Sequence, residues 1–203
     1  MKQVAIIGNA ELQQDYADLV DSSDLVIRFN TPLSWAHKSG RRFDIWVLAN
    51  GKGGQRFADA QLFRSAPYRD LPDEIWFPRP LALHRSLPLH PMYGGDRVSE
   101  GMDIDYGDSI LLANNLSQPI LRLDTGCYQR CFDRLYPASV ANSYVLMPSA
   151  GFIVTHYVLE QMPDTHVLLI GFTFQGWPGH PWLLEQENIV AMHQQGRLQL
   201  LAC

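Results

Sequence analysis

What this chain has little of narrows its function first. No apolar stretch is long enough to span a bilayer, and the first apolar run, Val4-Ala5-Ile6-Ile7, is too short for a signal peptide and is cut by Gly8-Asn9. Basic residues form no cluster. They number 16 against 21 acidic ones, a net charge of −5, so nucleic acid is not an expected partner. Cysteines are scarce and odd in number (Cys127, Cys131 and Cys203), and nothing requires a disulfide, which fits a reducing cytoplasm. Cys127 and Cys131 have the spacing of two metal ligands on one helix face, but no second pair or suitable His accompanies them, so no metal site is expected. The expectation is a cytoplasmic protein with at most peripheral membrane contact. Repeats, low-complexity tracts and linkers are absent, and the length suits one domain over residues 1–203.

What is present is a set of short apolar runs that end alike. Val4-Ala5-Ile6-Ile7 ends in Gly8-Asn9, Asp24 to Phe29 ends in Asn30, and Phe43 to Ala49 ends in Asn50. Each reads as a buried parallel strand that breaks into a turn at its carboxyl end, the edge at which open α/β sheets bind ligands. A carboxamide both donates and accepts, so three Asn at one edge suit a nucleobase or a ribose; Asn is also a common turn residue, which is the plainer account of any one of them.

The coarse reading along the chain is α/β. Leu12 to Val20 reads as a helix. Gly51-Lys52-Gly53-Gly54 is a flexible turn that lacks the residues of a P-loop. Glu74 to Phe77 is a short strand. Pro78 to Asp108, rich in Pro, Gly, His and Tyr, is too long for a plain connection and reads as a lid or a partly disordered insert. A helix ends near Asp133–Leu135. Tyr144 to Met147 reads as a strand, a helix runs from the Pro148-Ser149-Ala150-Gly151 turn to Met162, and Val167 to Ile170 is a further buried strand ended by Gly171-Phe172.

Two local features carry chemistry. The strand, small-residue turn and helix at Pro148 to Gly151 offer unpaired backbone N–H groups and a hydroxyl at a helix N-terminus, an anion site suited to phosphate; Ser149 as a simple N-cap is the alternative. Pro181 suits the first position of a helix, which makes His180 its N-cap. The positive helix end would disfavour protonation of His180 and leave the neutral imidazole that a general base requires; an exposed or structural His is the other reading. Glu185 does not align with His180 on an ideal helix and is expected to support the first helical turns or the preceding loop.

These segments together resemble a family. Val4 to Pro32, with Gly8-Asn9 followed by Asp24-Leu25-Val26-Ile27-Arg28-Phe29-Asn30, resembles the long motif of the animal-type sialyltransferases. Met147 to Phe172 resembles their short motif, and His180-x4-Glu185 their very short motif, which bears the catalytic His. The Asn9, Asn30 and Asn50 pattern is also similar to the small bacterial sialyltransferases that open on Gly-Asn-Gly-Pro-Ser. The chain lacks the disulfide cysteines of the animal motifs and their transmembrane stem. The interval before His180 is compressed to Thr173 through Trp177, so no second catalytic His is assignable.

The resemblance implies a Rossmann-like domain with a mostly parallel sheet, of the variant GT-A type. It implies an inverting, metal-independent glycosyltransferase that needs no cofactor and moves a 2-keto sugar acid, sialic acid or Kdo, from its CMP ester to a glycan, lipopolysaccharide or capsule acceptor. The implied base is His180. Gly8, Asn9, Asn30 and Asn50 would hold the nucleoside, and Ser149, Ala150 and Gly151 the phosphate, with Glu185 supporting and Arg28 facing the donor carboxylate or serving as a structural ion-pair partner. Two rivals stand beside this. One is a metal-dependent nucleoside-diphosphate-sugar transferase built on Asp103-x-Asp105. The other is a nucleotide-binding protein without turnover. If His180 is structural, His84 and His90 are the next candidates for the base.

Overall fold

The apolar runs assemble into a parallel sheet. The computed structural model describes residues 1–81, 103–137 and 145–202. Among these residues the strands are β1 (Lys2–Ile7), β2 (Leu25–Phe29), β3 (Ile45–Val47), β4 (Glu74–Phe77), β5 (Ile120–Arg122), β6 (Thr165–Ile170) and β7 (Gln199–Leu200). They form one seven-stranded sheet in the order β5-β4-β3-β2-β1-β6-β7, with every pairing parallel. The helices are α1 (Ala17–Asp21), α2 (Gln55–Asp59), α3 (Gly107–Asn114), α4 (Thr125–Leu135), α5 (Ala150–Gln161) and α6 (Trp182–Gln194). The architecture is Rossmann-like α/β.

Strand alternation sorts the core onto two faces. Val4, Ile6, Ile27, Val47 and Trp76 pack on one face with residues of α4, α5 and α6, such as Tyr128, Val154 and Ile189. Trp46, Leu48, Ile75 and Phe77 face the other way, against Phe57 of α2 and Ile110 of α3. Ala5, Ile7, Val26 and Ile170 pack on Leu12, Tyr16 and Val20. Burial on both faces is why these strands read as continuous apolar runs. Cys127 and Cys131 are core residues of α4, both buried and free, and the two thiols hydrogen-bond to one another.

Two sequence expectations change and two others gain boundaries. The helix expected from Leu12 contracts to α1. Lys38 reaches back so that its Nζ donates to the carbonyls of Leu12 and Gln13 (2.8 and 3.0 Å), and the Tyr16 amide donates to the Lys38 carbonyl. These tertiary bonds use groups that a helical turn would pair internally. The strand expected at Tyr144 to Met147 is reduced, over its described residues 145–147, to a single bridge at Val145. Leu146 bonds the Tyr136 hydroxyl through both its N–H and its carbonyl, and the Met147 carbonyl goes to His180. The Gly51 to Gly54 turn is ordered as a 3-10 turn over Lys52–Gly54 that leads into α2. The irregular stretch from Pro78 to Asp108 ends in α3 from Gly107; residues 82–102, with His84 and His90, lie outside the described residues, as does Cys203.

Candidate active site

The strand order places the site. From β1 the chain winds outward through β2 to β5, then returns to lay β6 against the other side of β1. The order reverses there, and the carboxyl ends of β1 and β6 flank the crevice in which such sheets bind ligands. The two turns are locked together. The Gly8 amide donates to the Ile170 carbonyl (2.7 Å) and the Ala10 amide to the Gly171 carbonyl (3.3 Å). A Cβ on Gly8 would collide with the Gly171 carbonyl, so packing of the two turns alone demands a glycine here. A cleft opens above them, lined among others by Gly8, Asn9, Asn30, Ser149, Gly151 and His180.

Asn9 and Asn30 each give half a carboxamide to the protein. Asn9 Nδ2 donates to the Phe29 carbonyl (3.0 Å), so its Oδ1 is the half left for a ligand. Asn30 has a left-handed backbone, φ 48°, and its Oδ1 accepts from the Ala49 amide (2.9 Å), which leaves the NH2 group. The pair thus offers one acceptor and one donor at the cleft. Asn50 does not join them. It is fully buried, and its Nδ2 donates to the Arg79 carbonyl (2.9 Å), so it positions a neighbour instead of facing the cleft.

Ser149 is the N-cap of α5, its Oγ accepting from the Phe152 amide (3.1 Å). Its own donors are both committed to Glu185: the amide N–H at 2.6 Å and the hydroxyl at 2.7 Å. An anion at this helix end would therefore meet the amides of Ala150 and Gly151 and not the Ser149 hydroxyl. Glu185 thereby has a different role from the one expected. It leaves its own helix, α6, to tie down the start of α5. Burial raises its pKa to about 6, against the lowering effect of the two Ser149 bonds and Arg79.

His180 stands one residue further from the helix than its sequence position suggests. Pro181 is the N-cap and α6 starts at Trp182. The imidazole lies between Trp177 and Trp182, each ring centroid 4.9 Å away and nearly perpendicular. Its Nδ1 is 2.7 Å from the Met147 carbonyl. A carbonyl can only accept, so Nδ1 carries the proton and Nε2 holds the lone pair. Nε2 is 3.4 Å from Nη2 of Arg79. Burial, and then the Arg79 charge, lower the His180 pKa to about 3, with the Met147 bond opposing them. The neutral imidazole expected from the helix end is thus produced by desolvation and a neighbouring cation.

Arg79 is the functional residue that sequence reasoning missed. It follows β4 by two positions, at the same sheet edge as the three Asn residues, and that placement was the available signal. It is half-buried, its Nη2 lies 3.5 Å from the Pro148 carbonyl, and among the described residues its buried Nε has no partner. It lines both the cleft above β1 and β6 and a second cavity on the far side of His180. Arg28, expected to face a donor carboxylate or to make an ion pair, is a buried brace. Its guanidinium donates to the carbonyls of Arg42, Ser39 and Gly40 and to the Ser39 hydroxyl, and its side chain is inaccessible from the cleft. Asp105 is likewise engaged, paired with Arg122 at 2.7 Å and accepting from the Gly107 amide at the start of α3. Among the described residues no group of three His, Cys, Asp or Glu side chains is placed to hold a metal ion.

Comparison with known proteins follows the fold. No family model matches the chain. It is 28% identical to the urease operon 23 kDa accessory protein of Rhizobium meliloti (strain 1021), over 98% of this chain and 92% of that protein. Two structures of a mammalian sialyltransferase superpose with TM-scores of 0.60 and 0.61, at 16% and 14% identity, covering 98% of this chain and 69% and 68% of theirs. One of them is a complex with Gal-beta-1-3GalNAc-ortho-nitrophenol. The sialyltransferase CstII from Campylobacter jejuni, in complex with cytidine-5'-monophosphate, superposes with a TM-score of 0.53 at 11% identity, covering 98% of this chain and 78% of its own. At these identities the likeness establishes a sialyltransferase-like fold, Rossmann-like and of the variant GT-A type. Among the described residues no helix is long and apolar enough to cross a membrane.

Proposed function

We propose that this chain is an inverting glycosyltransferase that moves a 2-keto sugar acid, sialic acid or Kdo, from its CMP ester to an acceptor hydroxyl. The observation that carries this is the His180 arrangement: a neutral imidazole with Nδ1–H fixed on the Met147 carbonyl and Nε2 beside Arg79, on a residue that lines two cavities. CMP would lie above β1 and β6. Asn9 Oδ1 and the Asn30 NH2 group would meet the nucleoside, and the amides of Ala150 and Gly151, with Arg79, the phosphate. The acceptor hydroxyl gives its proton to Nε2 as its oxygen forms a bond to the anomeric carbon. The bond from that carbon to the phosphate oxygen breaks, and the electron pair leaves with CMP. The leaving group is a monophosphate, which cations and backbone donors can stabilise without a metal.

The low pKa of His180 has a consequence for this chemistry. A base works best when its pKa lies near the working pH, and a pKa of about 3 falls well short of that. An anionic donor beside Arg79 would offset the charge that depresses His180, so donor binding would itself raise the basicity of Nε2.

The decisive experiment is turnover of CMP-sialic acid and CMP-Kdo together with a thermal-shift panel. CMP should stabilise the protein more than UMP or UDP, with or without EDTA. Stabilisation by UDP that requires manganese would point to Asp103 and Asp105 instead. The Rhizobium meliloti relative is named as an accessory protein and not as a transferase, which supports a second reading, a nucleotide-binding protein without turnover. Stabilisation by CMP with no donor hydrolysis and no transfer would select it.

A further inference from the structure

Glu185 is a carboxylate buried where the donor would bring a second negative charge. The residue is 1% exposed, and both of its oxygens are committed to the start of α5. One accepts from the Ser149 amide at 2.6 Å, the other from the Ser149 hydroxyl at 2.7 Å. The carboxylate thus already answers the partial positive charge of that helix end. The next two residues, Ala150 and Gly151, line the cleft, as does Arg79, whose buried Nε has no partner among the described residues. A phosphate received there would share one helix end with Glu185. Two anions brought together in a poorly hydrated site repel, and the usual relief is a proton.

Two groups are open to that proton, and they are not equivalent. Arg79 acts on both His180 and Glu185 and favours the unprotonated form of each. The imidazole is left with a pKa of about 3 and the carboxyl with one of about 6, so the carboxyl is the first to fill as negative charge enters the cleft. A proton on Nε2 would end its service as a base, whereas a proton on Glu185 leaves it intact. The other groups packed around Glu185 do not compete. Tyr136, at the end of α4, is a phenol whose own pKa burial raises. His156 of α5 is held on Asn188 and kept near 4 by burial. β7, which also packs on α6, brings only Gln199 and Leu200.

We infer that Glu185 is a positioning residue that takes up a proton when the donor binds, and so leaves His180 free to act as the base. This rests on the transferase reading above. Ionised, Glu185 fixes the Ser149 amide and hydroxyl and holds the helix end ready. Protonated, its carbonyl oxygen still accepts from the amide, and its charge no longer opposes the phosphate. Donor affinity therefore rises as the pH falls from 8 toward 6, where a site made of fixed cations alone would hold it level.

Calorimetry of the full chain tests this with cytidine 5'-methyl phosphate, a diester whose phosphate does not titrate near neutrality. Runs at pH 7 in buffers of different ionisation enthalpy count the protons taken up. The parent chain should take up about half a proton per ligand, and its affinity should rise about five- to ten-fold from pH 8 to pH 6. Glu185→Gln should still bind the diester but lose both the uptake and the pH dependence, and His180→Ala should keep both. The infrared difference spectrum of the parent chain should gain a protonated-carboxyl band on binding, a readout that needs no variant. Uptake that survives Glu185→Gln, or that vanishes in His180→Ala, would overturn the inference by placing the proton elsewhere. Binding by the parent chain with no uptake and a level affinity would overturn it too, while keeping the donor site. A chain that binds the diester at no pH would refute the transferase reading and the inference together.

Discussion

At the scale of single residues the Arg79–His180 contact decides most. His180→Ala should lower transfer by about two orders of magnitude or more, the scale of a lost general base, while the thermal shift with CMP changes little. Arg79→Gln tests the electrostatics. Removing the cation 3.4 Å from Nε2 should raise the His180 pKa from about 3 toward its ordinary value, read by NMR titration of the imidazole, while CMP binding weakens. If the imidazole titrates unchanged in that variant, burial alone sets its state. His180 was visible in the sequence because a Pro-started helix follows it, and its neutral state was anticipated on the wrong cause. Arg79 was invisible because its role depends on Asn50 and Pro148, which hold it only in the folded chain. Arg28 misled for the opposite reason: nothing local shows that its partners lie in the loop at Ser39 to Arg42.

At the scale of elements, the start of α5 depends on a side chain from α6. Ser149→Ala removes the cap and one donor to the buried Glu185 carboxylate, so it should destabilise the fold by roughly 2–3 kcal/mol near pH 7.5 in urea melts. The cost should be smaller at pH 5, where Glu185, with its pKa near 6, is largely protonated. An equal cost at both pH values would mean that the hydroxyl serves only as the cap. The start of α5 was legible in the sequence, since Pro148-Ser149-Ala150-Gly151 signals a cap and the cap is there. The donor engaging Glu185 was not, because the two residues meet only through tertiary packing. The same limit shortened α1, where Lys38 takes the carbonyls of Leu12 and Gln13.

At the scale of the whole molecule, two buried imidazoles govern the response to acid. His156 is held near 4 and His180 near 3, each chiefly by burial. Both depart downward from the ordinary value, so below about pH 6.5 the unfolded chain binds more protons and stability falls with pH, by several kcal/mol in all. Glu185 acts the other way between its ordinary pKa and about 6, because there the folded chain holds the extra proton. Urea melts should therefore show a loss of stability that sets in below about pH 7 and continues to pH 4, less steep between 6 and 4.5, and His156→Gln should flatten it further. The strands and their Asn-ended turns could be read from the sequence because a strand's apolar run is local. The strand order could not, because nothing in either run says that β1 pairs with β6. That pairing carries a consequence for synthesis. β1 leaves the ribosome well before β6, so Lys2 must wait for Thr165 before that edge is matched. Until then an apolar edge strand stands open on one side, and the ligand crevice does not exist. The newborn chain thus carries an incomplete sheet in need of protection until β6 is made, and a ligand of the closed β1–β6 seam, such as the proposed nucleotide donor, would report completed folding.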